Sequence, residues 1–304
     1  QDQSAKKMST EGASTPSVAE SSLMSLPHES SNSVLLEVQN LRKVFKRSGS
    51  WFKSDDFVAV EDVSFKLHRG QTVGLVGESG SGKTTVGLCL LRLHEATAGK
   101  VLFEGQNLLE MSNQAFAKYK RRLQIVFQNP YASLNPRFTV GEILSEPMQL
   151  HGIGAGSADW EKQSLALLDK VGMPASALKR YPFEFSGGQR QRVMIAMSIA
   201  CEPCLLIADE PTTALDVTVQ AQILTLLDEL KTRMNMGMLF ITHDFGVVAD
   251  IADQVVVMFR GEIVEAGSKQ QVLTNPQHPY TKALLACVPD AEGKKPLQPI
   301  DYAW

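Results

Sequence analysis

A glycine-rich loop that carries one lysine and one threonine is the part of this chain best suited to chemistry. It runs from Gly77 to Thr84 as GESGSGKT, between an apolar run that predicts a strand and one that predicts a helix. Glycines let backbone N–H groups turn inward around phosphate oxygens, and the helix adds its positive end at the same point. The lysine supplies a mobile cation, and the threonine a hydroxyl for Mg²⁺. We expect a nucleoside triphosphate to bind here, through Gly77, Glu78, Ser79, Gly80, Ser81, Gly82, Lys83, Thr84 and Thr85.

Two adjacent carboxylates follow another apolar run. The sequence from Leu205 to Ala208 predicts a buried strand, and Asp209 and Glu210 come directly after it. Ligands of parallel α/β sheets bind beyond the carboxyl ends of the strands, so both acids should lie near the phosphate loop. We expect Asp209 to assist Mg²⁺ through a water molecule and Glu210 to activate the attacking water as general base. Without the glycine-rich loop, an acidic turn before Pro211 would be an equally good interpretation.

Two more polar residues follow predicted strands and should reach the same edge of the sheet. His243 comes after an apolar run that ends at Thr242, which favours a catalytic role over a structural one. Gln128 follows the run that ends at Phe127, and its amide can contact Mg²⁺ or the attacking water without titrating. The predicted catalytic residues are Glu210, His243 and Gln128, and the predicted magnesium ligands are Thr84, Gln128 and Asp209.

A second helix start has the features of an anion site. Ser186, Gly187, Gly188 and Gln189 stand directly before a predicted helix. Serine is a preferred N-cap, and the two glycines leave the first amides of the helix accessible. A capped helix start explains these four residues by itself. A second anion site without its own lysine makes sense, however, if it completes the nucleotide pocket of another subunit.

Alternating strands and helices must position these residues. Continuous apolar runs between helical segments predict a parallel sheet covered on both faces, and hence an α/β fold. Between about 130 and 184 the periodicity is helical only, which predicts a separate lobe. The predicted segments are a disordered tail at 1–33, a first part of the nucleotide-binding core with a β subdomain at 34–129, an α-helical lobe at 130–190, the second part of the core at 191–264 and a C-terminal extension at 265–304.

Composition narrows the classes of function. The chain has 304 residues, 43% of them apolar, and a formal net charge of −3, so the chain as a whole is not drawn toward nucleic acid or anionic lipid. No apolar stretch approaches the ~20 residues that span a bilayer, and because the first residues lack an apolar segment we expect no secretory signal. The four cysteines lack the pattern of a disulfide framework, which fits a reducing cytosol. Any membrane role is therefore expected to come through a partner.

The order of these motifs resembles that of the ATP-binding subunits of ABC transporters. The resemblance covers about Val34 to Val264 and implies a P-loop NTPase (RecA-like) core with an antiparallel β subdomain and an inserted α-helical lobe. The family's signature usually begins with leucine, and here Phe185 stands in its place, a conservative apolar change. The motifs are the phosphate loop, Gln128, FSGGQ at 185–189, LLIADE at 205–210, ALD at 214–216 and His243.

The same resemblance implies a shared site with ATP and Mg²⁺ as cofactors. The family forms head-to-tail dimers with two ATP molecules at the interface. Each is bound by one subunit's phosphate loop and by the segment that corresponds to Ser186, Gly187 and Gly188 in the other. Asp216 resembles the aspartate that contacts the dimer partner. Phe45 stands where the family places an aromatic ring against adenine, although a core phenylalanine explains it nearly as well.

Two segments are similar to one subgroup, the oligopeptide, dipeptide and nickel importers. They are QNPYASLNPR at 128–137 and NPQHPYTKALL at 275–285. In that subgroup the ATPase docks on a separate membrane permease through the region just after the glutamine, which corresponds to Tyr131 to Arg137. A Pro/Asn-rich turn would explain the composition of this loop but not the match, and the docking interpretation rests on the resemblance alone.

The implied function is an ATPase subunit that powers a peptide importer through ATP-driven dimer closure. Its implied partners are integral-membrane permease subunits, a second ATPase subunit that is a related chain or another copy, and indirectly an extracytoplasmic solute-binding protein. It would lie at the cytoplasmic side of the inner membrane, with no nucleic-acid partner. The alternative is a soluble ABC ATPase acting on nucleic acid or ribosomes. Such relatives carry a long coiled coil or two cassettes in one chain, and this sequence has neither.

Three cysteines and two aromatic residues invite further interpretations. Cys201 and Cys204 have metal or redox spacing, but no second Cys or His pair flanks them, so we interpret them as an incidental loop. Some members of the subgroup carry an iron–sulfur cluster near the C-terminus, and since Cys287 stands alone there we predict none. Trp51 and Phe52 are expected to fold over their own domain rather than to touch the permease or lipid.

Overall fold

The computed structural model describes residues 33–46 and 56–287. The tail predicted at 1–33 lies almost wholly outside these described residues, and Trp51 and Phe52 lie outside them too. Among the helices that are described, none combines the length and the apolar character that crossing a bilayer requires.

The described residues contain a ten-stranded sheet with the order β5-β4-β1-β2-β10-β9-β3-β8-β7-β6. Strands β6, β7, β8, β3 and β9 pair in parallel, whereas β2, β1, β4 and β5 pair antiparallel. Strand β10 joins the two parts, antiparallel to β9 and parallel to β2. The strands are β1 (Val34–Phe45), β2 (Phe57–His68), β3 (Thr72–Val76), β4 (Ala98–Phe103), β5 (Gln106–Asn107), β6 (Leu123–Val126), β7 (Leu205–Asp209), β8 (Gly237–Thr242), β9 (Gln254–Phe259) and β10 (Glu262–Ser268).

Helices cover the parallel strands and form the predicted lobe. They are α1 (Lys83–Leu90), α2 (Asn113–Lys120), α3 (Pro130–Ser133), α4 (Val140–Leu150), α5 (Ser157–Lys170), α6 (Gly187–Ile199), α7 (Val217–Met234), α8 (Phe245–Ile251), α9 (Lys269–Thr274) and α10 (Pro279–Ala286). Helix α4 of the lobe begins with a capping box, in which the Thr139 hydroxyl accepts from the N–H of Glu142 and the Glu142 carboxylate accepts from the N–H of Thr139. The α/β fold with a helical lobe and antiparallel strands is confirmed.

Strand β7 separates two hydrophobic cores, because successive side chains of a strand point to opposite faces of the sheet. Leu205 and Ile207 belong to the core shared with α1 and the antiparallel strands. Leu206 and Ala208 belong to the core shared with α6, α7 and the helical lobe. Burial on both faces explains why this segment is a continuous apolar run, and it fixes the strand whose end carries the two carboxylates.

Strands β9 and β10 extend the sheet after β8, and three helices accompany them. Helices α8, α9 and α10 pack with β9 in a third core that includes Val76, Phe245, Val257 and Tyr280. The segment boundary predicted between 264 and 265 falls inside β10. The C-terminal extension thus shares a strand with the nucleotide-binding core.

Candidate nucleotide-binding site

The phosphate loop connects β3 to α1 and is closely packed at its base. A Cβ at Gly77 would lie 2.1 Å from the carbonyl oxygen of Met258, and one at Gly82 would lie 2.3 Å from that of Ala59. Gly82 also has a φ of +103°, which a residue with a side chain rarely adopts. These two glycines are therefore required by close backbone approach, while Gly80 at the exposed tip has nothing within 4 Å of its Cβ position.

Lys83 lies beneath this loop and is only 4% exposed. Its ammonium donates to the carbonyl oxygens of Gly77 and Glu78, both at 2.7 Å, and approaches the hydroxyl of Ser81 at 3.4 Å. The side chain of Lys83 thus stabilises the loop by bonding to the backbone carbonyl groups of the loop. Ser79 and Thr84 are exposed beside it, and Thr85 is half-buried.

Asp209 ends β7 next to the first turn of α1. The Thr84 hydroxyl donates to Asp209 Oδ1 at 3.0 Å, so the two predicted magnesium ligands contact each other. Burial raises the pKa of the Asp209 carboxyl, and the neighbouring charge of Glu210 acts in the same direction. Burial lowers the pKa of the Lys83 ammonium, which nearby carboxylates only partly oppose. A cation beside Asp209 and an anion beside Lys83 would each favour the charged form of these groups.

Glu210 adopts a left-handed backbone conformation with a φ of +46°. This conformation costs a residue with a Cβ about 1–2 kcal/mol. The N–H of Glu210 donates to the carbonyl oxygen of Ile241 in β8 at 2.9 Å, which continues the ladder one residue past β7. This hydrogen bond holds the strained residue against β8, so the Glu210 carboxylate has a fixed position at the edge of the sheet.

Three side chains contact the carboxylate of Glu210. Gln128 Nε2 and the Thr213 hydroxyl both donate to Oε2 at 3.0 Å, and His243 Nδ1 lies 3.3 Å from Oε1. Because an ionised carboxylate only accepts, the contact with His243 requires the proton on Nδ1. The structure thus brings the three predicted catalytic residues together, with Glu210 half-buried and His243 exposed. An oriented carboxylate of this kind can take a proton from water.

Thr213 is a contact of this cluster that the sequence did not single out. It lies three residues after Glu210, in the turn that follows β7, and its hydroxyl bond closes that turn. Serine and threonine commonly bond to neighbouring groups in turns, so the residue type alone gives no functional signal.

The four residues of the second helix start cap α6. Ser186 Oγ accepts from the N–H of Gln189 at 3.4 Å, and Gln189 Oε1 accepts from the N–H of Ser186 at 3.1 Å. A Cβ at Gly188 would lie 2.5 Å from Val219 Cγ1 in α7, so helix packing gives this glycine a reason beyond amide access. Gly187 shares a groove of about 430 Å³ with Gln128 and Thr213 among other residues.

The last three predicted positions have ordinary structural contacts as well. Asp216 caps α7, where its Oδ1 accepts from the N–H of Val219 at 2.9 Å. Phe45 is half-buried at the end of β1, and its ring meets that of His94 edge-on at 5.3 Å. Phe185 is buried, with the Arg180 guanidinium 4.2 Å from its ring centre, so the apolar character of this position is used in packing.

The donor set suits Mg²⁺, because hydroxyl, carboxylate and amide oxygens are the hard ligands that this ion prefers. Within residues 33–46 and 56–287, no group of three or more His, Cys, Asp or Glu side chains is arranged to hold a metal. Cys201 is buried, and the sulfur of Cys204 accepts a hydrogen bond from Arg122 at 3.4 Å.

Family models and known proteins match this chain over most of its length. The family model described as ABC transporter matches residues 60–213, and the model for the C-terminal region of oligopeptide/dipeptide transporters matches residues 264–302. A protein of Brucella ovis named as a peptide import ATP-binding protein is 45% identical over 258 residues, which are 85% of this chain and 80% of that protein.

Two further relatives extend the comparison. The glutathione import ATP-binding protein of Escherichia coli O1:K1 is 47% identical over 276 residues, which are 86% of this chain but 43% of that protein. Among solved structures, the dimeric post-hydrolysis state of the ATP-binding cassette MJ0796 bound to ADP and phosphate matches with a TM-score of 0.68 and 26% identity. That match covers 77% of this chain and 98% of the cassette.

Proposed function

This chain belongs to the ABC transporter family of ATP-binding proteins, and from that premise we propose that it hydrolyses ATP to power the import of peptides. The observation that carries the proposal is the cluster of Gln128, Thr213 and His243 around the Glu210 carboxylate, beside the Thr84–Asp209 pair. Peptide cargo is supported by the names of the Brucella and Escherichia coli relatives and by the C-terminal family model.

The residues divide the reaction between them. The amides of the phosphate loop and the ammonium of Lys83 bind the phosphates, and Thr84, Asp209 and Gln128 would hold Mg²⁺. The bound ion would offset negative charge on the phosphate oxygens. Glu210 accepts a proton from the attacking water, while His243 and Gln128 orient the carboxylate and the water. The buried base of the loop limits access of bulk water to Lys83.

A second ATPase subunit completes the site in this proposal. Ser186, Gly187, Gly188 and Gln189 form a capped helix start, and in this proposal its first amides bind the nucleotide of that second subunit. Asp216 contacts the same subunit, and Phe45 stacks on adenine. The dimeric cassette with bound ADP and phosphate supports this arrangement, since the present chain shares its fold. The second subunit is a related chain or another copy of this one.

Permease docking is proposed for the segment 131–137, to which we add Phe183, because Arg190 contacts both Tyr131 and Phe183. Tyr131 and Phe183 are each 67% exposed. The guanidinium of Arg190 lies 3.9 Å from the ring centre of Tyr131, and its Nε donates to the carbonyl oxygen of Pro182 at 2.7 Å. Arg190 stands in the first turn of α6, so the surface is linked to the second helix start. The chain would thereby attach peripherally to the cytoplasmic side of the inner membrane, with the solute-binding protein as an indirect partner.

A shared site makes turnover depend on dimer formation. We expect ATP turnover per chain to rise with protein concentration in the micromolar range, because each pocket needs a second subunit. Phosphate release measured over a hundredfold range of concentration checks this. Affinity capture from membranes should also recover integral-membrane permease subunits. Turnover independent of concentration, with no dimer detectable, would contradict the shared site, and capture without membrane proteins would contradict the importer.

The Thr84 hydroxyl should matter only when Mg²⁺ is present. Replacing Thr84 by valine removes one oxygen ligand and the bond to Asp209, so we expect the Kd of MgATP to rise by about tenfold, the effect of losing one charge-assisted contact. The Kd of ATP in EDTA should stay the same. Titration with a fluorescent ATP analogue measures both values. Thr232→Val, at an exposed position of α7, is the matched control. An equal loss of affinity with and without Mg²⁺ would refute the ligand assignment.

A further inference from the structure

Tyr280 reaches the phosphate loop from the C-terminal part of the chain. It lies in α10, is 1% exposed, and its hydroxyl oxygen accepts a hydrogen bond from the backbone N–H of Glu78 at 3.1 Å. The two residues are 202 positions apart in sequence. Glu78 is the second residue of the loop, and its carbonyl oxygen accepts from Lys83. The peptide group before Glu78 therefore bonds to Tyr280, and the peptide group after it bonds to Lys83.

The side chain of Tyr280 is itself held in place. Its ring packs on that of Phe259 at the end of β9, with 4.2 Å between the ring centres. The carboxylate of Glu265 in β10 accepts from the N–H of Gln277 at 2.7 Å and from the N–H of His278 at 3.0 Å. These bonds fix the start of α10 to the sheet. The phenol oxygen is thus presented at a defined place rather than by a mobile tail.

The loop is fastened to the same part of the fold at a second point. The N–H of Gly261, in the turn between β9 and β10, donates to the carbonyl oxygen of Ser81 at 3.0 Å. Gly77 lies against the backbone of Met258 in β9. The hairpin of β9 and β10 and the helix α10 together form a platform under the phosphate loop, which we call the C-terminal platform.

We propose that Tyr280 is a positioning residue for nucleotide binding. It fixes Glu78 at the start of the phosphate loop, and with it the carbonyl group that orients Lys83. A loop that is ordered before the ligand arrives binds more tightly, because less conformational entropy is lost on binding. The segment matched by the oligopeptide/dipeptide C-terminal model is then part of the ATP site's support. This inference rests on the proposed function, since it requires that the loop binds ATP.

Replacing Tyr280 by phenylalanine removes only the hydroxyl and keeps the ring on Phe259. We expect the Kd and KM of MgATP to rise by about 2- to 10-fold, the range for one net hydrogen bond. The kcat at saturating MgATP should change by less than about twofold, since the Glu210 cluster is untouched. Tyr119→Phe is the matched control, because that ring packs edge-on against Phe103 in another part of the fold. It should leave both constants unchanged.

A double-mutant cycle tests the route of the effect. Glu265→Gln should weaken MgATP binding through the start of α10, and it should add little when Tyr280→Phe is already present. Additive losses, or an unchanged Kd in Tyr280→Phe, would overturn the proposal, as would tighter binding, which would make the tyrosine a competitor for the loop. Failure of the unaltered chain to bind MgATP would instead refute the proposed function.

Discussion

Replacing Glu210 by glutamine is expected to lower ATP turnover by about 10²- to 10⁴-fold, the usual contribution of a general base. The amide keeps the shape of the side chain and can still bond to Gln128 and Thr213, but it cannot take a proton from water. ATP binding should survive, since the phosphate loop is unchanged. Closed dimers should therefore accumulate with ATP bound, because their contacts remain while the step that ends them is lost.

Phosphate release and size-exclusion chromatography with ATP measure the two halves of this expectation. Glu262→Gln, on an exposed position of β10, is the matched control and should behave like the unaltered chain. Unchanged turnover in Glu210→Gln would remove the general-base assignment. A loss of ATP binding in that variant would show instead that Glu210 supports the loop.

Replacing Ser186 by arginine should lower turnover by at least about 30-fold while the isolated chain keeps its affinity for ATP. The larger side chain blocks the capped start of α6, and contacts of this kind are worth roughly 2–5 kcal/mol when a partner group is lost at an interface. The substitution leaves the phosphate loop of the same chain unchanged, so that chain can still bind ATP through this loop. Turnover and the Kd of MgATP, the latter at concentrations that favour the monomer, test the two statements.

The control for that variant must carry the same loss of a helix cap. Ser112 caps α2 by accepting from the N–H of Ala115, and Ser112→Arg loses that bond away from the proposed nucleotide site. Both variants should lose about 1 kcal/mol of stability, so a difference in turnover isolates the interface. Equal turnover in the two variants would contradict a nucleotide site shared through α6.

Much of the site was predictable because it follows simple rules about strand ends. Gln128, Glu210 and His243 come just after β6, β7 and β8, which are neighbours in the sheet. Parallel strands end at one edge, so a reader of the sequence can group these residues without coordinates. The runs between Leu205 and Ala208 and before the phosphate loop were recognisable because burial on both faces leaves no polar positions.

Other parts depend on contacts between distant segments, which no local pattern reveals. Glu210 has a positive φ, which is uncommon for a residue other than glycine and cannot be predicted from the residue type. Tyr280 reads as a core aromatic, and only the fold brings its hydroxyl to Glu78. The sequence explains Gly188 by amide access, whereas its close approach to Val219 gives a packing reason that depends on how two helices cross.

Because Gly188 has no side chain, helices α6 and α7 can approach each other closely. A Cβ at Gly188 would lie 2.5 Å from Val219, so the backbone of α6 packs directly against a side chain of α7 and leaves no room for a larger residue. Asp216 caps α7 three residues before Val219, so the starts of α6 and α7 both lie close to this contact. A shift of either helix start would therefore strain its contact with the other helix, because a close-packed interior transmits strain.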